Sequence, residues 1–152
     1  MSQNPAVLLT QLFETLERFN ALLDEEAALL TETPVTAGAL ADVTERKSVI
    51  TATLERLEGQ RCQWLREQGF SVDREGSREA AQQYEVADLW QRIVEAGEQA
   101  RTRNRVNGLS IGLRLDMHER ALRFFKTASS TSLYSRNGRS NPVSQGNTYG
   151  QF

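Results

Sequence analysis

Apolar residues in the first part of the chain recur at alternating spacings of three and four, the pattern of a helix packed along one seam. This seam consists of Leu9, Leu12, Leu16, Phe19, Leu23, Glu26 and Leu30. Pro5 suits the first turn of a helix, whereas Pro34 and Gly38 suit a tight connection. The pattern therefore predicts a helix over residues 5–32.

A second seam with the same spacing follows directly after this connection. It consists of Leu40, Val43, Lys47, Ile50, Leu54, Leu57, Arg61 and Trp64. Gly69 is a suitable C-terminal cap, so we expect a helix over residues 37–68. Because the connection is short, the two helices should form a long antiparallel hairpin.

The two seams also predict how the hairpin is aligned. In an antiparallel pair, the numbers of facing residues add to a near constant, which is 73 when Leu23 faces Ile50. The same sum places Glu26 opposite Lys47. We interpret this structural pair as a device that fixes the register, as polar residues do in coiled coils. The alternative is that both side chains reach out to solvent.

A third helix is predicted over residues 77–104. Its seam consists of Val86, Leu89, Ile93, Ala96 and Ala100, and continues through the polar residues Arg103 and Asn107. The core should therefore be weak at this point. Asn107 and Gly108 either end this helix or lie within a longer one, and we expect a break or hinge at Asn104, Asn107 and Gly108.

The last predicted helix, over residues 107–128, is apolar on more than one face. One stripe contains Ile111, Leu115, His118, Leu122 and Phe125 and can pack on the hairpin. The other stripe needs a partner, which is either a further helix, a second subunit or a bound ligand. Its candidate binding residues are Leu109, Leu113, Met117, Ala121, Phe124 and Ala128.

These helices together predict an all-α fold, in which the hairpin is extended by the later helices into a coiled-coil-like bundle. Residues 1–128 should form one domain. Residues 129–152 contain six serines, three glycines and no acid, so we expect them to be a flexible tail.

The composition favours a protein that acts by binding other proteins over an enzyme. A single His and a single Cys, far apart in sequence, favour neither a metal site nor a catalytic triad, so we expect no enzyme and no cofactor. No apolar stretch reaches the length of a membrane helix, and the lone cysteine indicates a cytoplasmic protein. The arginines between residues 101 and 123 lack interleaved aromatic residues, so nucleic acid is not an expected partner.

Three segments resemble the FlgN family of flagellar type III export chaperones. The first is the hairpin DEEAALL and ERKSVITATLERLEGQR, in which Glu26 and Lys47 match the family pattern. The second is RNRVNGLSIG, with the Asn-Gly step at Asn107. The third is SLYSRNG, in which Leu133 and Tyr134 match a Leu-Tyr step at the start of the family's tail.

The resemblance implies a cytosolic chaperone that binds the C-terminal helices of hook-filament junction proteins, its clients, and prevents their premature assembly. It also implies delivery to the flagellar export gate, with Leu133 and Tyr134 as the docking element and with the gate platform and ATPase-complex components as partners. The alternative function is a structural or regulatory coiled-coil protein, in which the second apolar stripe is a homodimer interface.

Overall fold

The computed structural model describes residues 4–32 and 36–129, with the side chains of 118, 122 and 124–129 excepted. These residues form four helices and no strand. The helices are α1 (Pro5–Thr31), α2 (Ala37–Glu67), α3 (Arg74–Gln83) and α4 (Ala87–Ser129). The all-α fold is thus confirmed, and the predicted tail lies outside the described residues except for Ser129, which is the last residue of α4.

The ends of the hairpin helices follow local sequence signals. Asn4 caps α1, since its side chain accepts a hydrogen bond from the Ala6 N–H at 3.0 Å. Helix α2 ends where Gly69 adopts a φ of 82°, the left-handed conformation that glycine tolerates. The next residue, Phe70, then donates its N–H to the Leu65 carbonyl at 2.9 Å, which completes a Schellman motif.

The main core lies between α1, α2 and the N-terminal part of α4. Its buried side chains come from all three helices and are Leu8, Leu9, Leu12, Leu16, Phe19, Leu23, Leu54, Leu57, Ile93, Ala96 and Ala100. Most of these residues belong to the three predicted seams. The seams therefore meet in one core, and burial of their apolar surface is the main force that holds the three helices together.

The predicted third helix is interrupted, contrary to expectation. Helix α3 begins at Arg74, three residues before the predicted start, and ends at Gln83. Glu85 then adopts a φ of 57°, and Val86 donates its N–H to the Ala81 carbonyl at 2.8 Å. This is a second Schellman motif, with a glutamate where glycine is usual. The sequence contains no glycine or proline at this position, so no local signal predicted the break.

A small aromatic cluster joins α3 to the end of the hairpin. Trp64 packs edge to face against Tyr84, with their ring centroids 4.9 Å apart. The guanidinium of Arg61 lies 4.6 Å from the centre of the Trp90 ring and donates to the Ser77 hydroxyl at 2.8 Å. This end of the bundle is thus closed by aromatic packing and a cation–π contact.

Helix α4 continues through the predicted break. It runs without interruption from Ala87 to Ser129, so Asn107 and Gly108 do not end a helix. Glycine within a helix is about 1 kcal/mol less favourable than alanine. This difference is small enough for the helix to continue through Gly108. The chain nevertheless divides into two compact units between Asn107 and Gly108. A hinge motion at this boundary stays a prediction.

Candidate functional site

A buried polar network connects α1, α2 and α4 near the end of the first unit. Lys47 Nζ donates to both carboxylate oxygens of Glu26, at 3.0 and 3.2 Å, and to Asn104 Oδ1 at 2.8 Å. Asn107 Nδ2 donates to Glu26 Oε1 at 3.0 Å and to the Leu23 carbonyl at 2.9 Å. Two residues of the predicted hinge thus contact the predicted register pair.

The helices position these four side chains by simple periodicity. Glu26 and Lys47 occupy facing layers of the hairpin, where the seam alignment places them. Asn104 and Asn107 are three residues apart and therefore lie on the same face of α4. Asn104 accepts a hydrogen bond from Lys47, and Asn107 donates one to Glu26. Each member of the ion pair therefore has a second partner from α4.

Burial determines how much this network matters for stability. The Glu26 side chain is only 2% exposed, whereas that of Lys47 is 19% exposed. A carboxylate removed from water is tolerated when it is paired and hydrogen-bonded, and here it accepts from two donor groups. The acid is thus within the core, and the lysine reaches it from the edge. The network is suited to fixing the arrangement of helices rather than to proton transfer.

A second amide contact fixes α4 to α1. Asn20 Nδ2 donates to the Ala96 carbonyl at 3.0 Å, and Asn20 is itself buried. Together with the bond from Asn107 to the Leu23 carbonyl, it shows that the part of α4 up to Asn107 runs parallel to α1. Sequence reasoning missed Asn20. A polar residue directly after Phe19, which belongs to the first seam, is a signal that could have indicated it.

The second unit presents an apolar surface on the predicted binding stripe. Leu109, Leu113 and Met117 are 63, 66 and 68% exposed, and Ala121 is also exposed. Phe124 and Ala128 lie on the same helix, but their side chains fall outside those described. We call Leu109, Leu113 and Met117 the exposed stripe. Their spacing of four places them along one side of the helix.

The other predicted stripe is described in part. Leu115 is 60% exposed, which does not fit its predicted role in packing, and Ile111 is half-buried. The side chains of His118, Leu122 and Phe125 are not among those described. Leu133 and Tyr134, the predicted docking residues, also lie outside the described residues.

The described residues offer neither a cluster of metal ligands nor a membrane-spanning helix. No group of three or more His, Cys, Asp or Glu side chains in this part of the chain is placed to hold a metal ion. None of the described helices is long and apolar enough to cross a membrane. The polar network and the exposed stripe are therefore the features that we consider for function.

Comparison with known proteins gives a consistent result. The family model described as FlgN protein matches residues 1–142. The flagella synthesis protein FlgN of Yersinia enterocolitica is 32% identical over 136 residues, which cover 90% of this chain and 88% of the relative. The Salmonella typhimurium protein of the same name is 26% identical and covers 91% of both chains.

A solved structure agrees with these sequence matches. The crystal structure of a flagella synthesis protein FlgN from Pseudomonas aeruginosa superposes with a TM-score of 0.63 at 26% identity. The match covers 73% of this chain and 90% of that one.

Proposed function

The chain belongs to the FlgN family of flagella synthesis proteins, and we propose that it serves flagellar assembly as a cytosolic export chaperone. Its clients are the hook-filament junction proteins, which it binds through their C-terminal helices and keeps from assembling prematurely. It then delivers them to the flagellar type III export gate. It performs this role by binding, without catalysis.

The observation that carries the proposal is the exposed stripe. Three large apolar side chains, each about two-thirds exposed, follow one side of a helix. Burying a leucine or methionine side chain completely contributes about 1.5 to 3 kcal/mol. An amphipathic client helix placed along the stripe would bury all three residues together, which is the usual mode of helix recognition by an apolar surface.

The test is a triple substitution of Leu109, Leu113 and Met117 by serine. These side chains are already exposed, so the fold of the first unit should be unaffected. We expect affinity for a purified junction protein to fall by at least about tenfold, since that corresponds to only about 1.4 kcal/mol. Isothermal titration calorimetry measures the affinity, and circular dichroism measures the helix content.

The hairpin provides a matched control. Val49 lies on α2 and is 64% exposed, and Val7 on α1 is 56% exposed. A Val7→Ser and Val49→Ser variant removes exposed apolar surface elsewhere and should bind the client as the parent does. Equal client affinity for the stripe variant and the parent would refute the site assignment.

The homodimer alternative predicts a different result. If a second copy covers the exposed stripe, light scattering of the free protein gives a dimer, and the triple serine variant is a monomer. A dimer that does not bind added client would favour this alternative over the chaperone.

Docking at the export gate is proposed for Leu133 and Tyr134, on the basis of the family resemblance. A Tyr134→Ala variant should lose binding to the gate platform and keep its affinity for the client. Loss of both, or of neither, would contradict the separation of the two sites.

A further inference from the structure

Two glycines of α4 have no steric reason to be glycine. Gly108 and Gly112 are both exposed and lie inside the helix, where a methyl group added at either would meet nothing within 4 Å. Neither has the positive φ that favours glycine at Gly69. Since glycine is about four- to fivefold less favourable than alanine within a helix, each weakens α4 without a structural need.

The side chains described around them bury little surface that could stabilise the helix. None of the side chains described between Gly108 and Arg123 is fully buried. Two ion pairs, Asp116 with Arg120 at 3.0 Å and Glu119 with Arg123 at 3.8 Å, follow the helix surface. Exposed pairs of this kind contribute little to helix stability, whereas most helices in proteins depend on packing of an apolar face.

The position of the glycines separates them from the exposed stripe. At 100° per residue, Gly108 lies about 140° and Gly112 about 100° around the helix from Leu113, the centre of the stripe. A methyl group on Gly108 would therefore point away from a helix bound along the stripe, and one on Gly112 would lie at the side of the stripe, about 60° from Leu109. Replacement by alanine thus changes the stability of the helix and adds no side chain at the centre of the binding surface.

We propose that Gly108 and Gly112 set the affinity of the stripe for its client by keeping this part of α4 marginally stable. The free protein opens locally after Asn107, and the client binds the helical form. The inference rests on the proposed function, since it concerns the same surface. The apparent dissociation constant for the client equals the intrinsic constant of the helical form divided by the fraction of the protein in which the stripe is helical. A more stable helix therefore binds the client more tightly.

The test compares the parent with the Gly108→Ala and Gly112→Ala double variant. Hydrogen exchange measured by mass spectrometry on the free proteins should show the amides of residues 109–117 protected up to about 30-fold more strongly in the variant. Calorimetry should show tighter client binding. The control is Gly97→Ala, in the packed part of α4, where a methyl group also meets nothing. It should leave exchange of residues 109–117 unchanged.

The outcomes are distinct. The inference is overturned if residues 109–117 of the parent exchange as slowly as those around Ala100, or if the double variant does not slow them. Slower exchange with unchanged or weaker client binding also overturns it, and weaker binding would indicate that the partner approaches the glycines closely. If neither parent nor variant binds a junction protein, the proposed function fails, while the exchange result still decides whether the glycines weaken the helix.

Discussion

Removing Lys47 should destabilise the first unit far more than a surface substitution does. Lys47→Met keeps the aliphatic length of the side chain and leaves the carboxylate of Glu26, 2% exposed, without its counterion. Breaking a buried pair on one side costs about 3 to 5 kcal/mol. Asn107 still donates to the carboxylate, so we expect a loss near the lower end, about 3 kcal/mol.

The double substitution separates pairing from packing. In Glu26→Leu with Lys47→Met, no buried charge is left, and Asn107 keeps its bond to the Leu23 carbonyl. Replacing both partners of a buried pair by apolar residues is often neutral, so most of the loss should be recovered. The interaction energy between the two sites should therefore be at least about 2 kcal/mol.

Tryptophan fluorescence during urea unfolding is the appropriate assay. The two tryptophans, Trp64 and Trp90, both lie in the first unit, so the signal reports on the unit that contains the network. Arg46→Met is the control, because Arg46 forms a solvent-exposed pair with Glu25. Exposed pairs contribute little, so this variant should unfold near the parent midpoint. The reasoning is refuted if Lys47→Met and Arg46→Met have the same effect. It is also refuted if the double variant loses as much stability as the single variants Glu26→Leu and Lys47→Met lose together.

Three further predictions concern the short helix α3 and its ends. Glu85→Gly should stabilise the first unit by up to about 1 kcal/mol in thermal unfolding, because it relieves a left-handed glutamate; destabilisation would contradict the strain. Gly76→Ala should destabilise, since its methyl group would overlap the Ser71 carbonyl, whereas Gly59→Ala, in open space within α2, should raise the melting temperature. The Gly76 N–H, and then the Ser71 hydroxyl, donate to Asp73 and hold the pKa of its carboxyl below the ordinary value of 3.8. The Asp73 cap therefore stabilises α3 above pH 3.8, and this stabilisation is lost as the pH falls through the lower pKa of the folded protein. An NMR titration that follows the chemical shift of the Gly76 amide would detect the loss. A titration midpoint above pH 3.8 would contradict the prediction.

The hairpin was predictable from sequence because its signals are local and periodic. Alternating spacings of three and four defined both seams, and the constant sum of residue numbers placed Glu26 at Lys47, where the structure has the ion pair. The family resemblance based on three short segments is confirmed by the match over residues 1–142.

The partners of the ion pair were not predictable in the same way. Asn104 and Asn107 reach Lys47 and Glu26 only because α4 packs on the hairpin at one particular rotation. A hairpin alignment needs only two seams, whereas the position of a third helix depends on all of its side-chain contacts at once. The sequence alone shows polar residues in the third seam, which indicates weak packing but not the partners of these residues.

The break after α3 illustrates a different limit. Both helix ends use the same Schellman hydrogen bonds, yet one has Gly69 in the left-handed position and the other has Glu85. Glycine is a recognisable signal because it adopts this conformation without strain, but glutamate adopts it only when the surrounding contacts require it. Packing of Tyr84 against Trp64 is a tertiary contact of this kind, and no local pattern reveals it.

The polar stretch before Gly108 marks the end of packing rather than the end of a helix. A helix ends where the backbone must leave helical conformation, and nothing near Asn107 requires this, since its amide bonds another helix instead of capping its own. A core ends where seam positions become polar. Arg103 lies near the surface, 3.5 Å from Asp24, and Asn107 meets a carbonyl, so the apolar seam stops while the helix continues. The division between the two units at Asn107 follows from these side chains. The apolar residues that return at Leu109 and Leu113 therefore stay exposed, and it is on them that the proposed binding function depends.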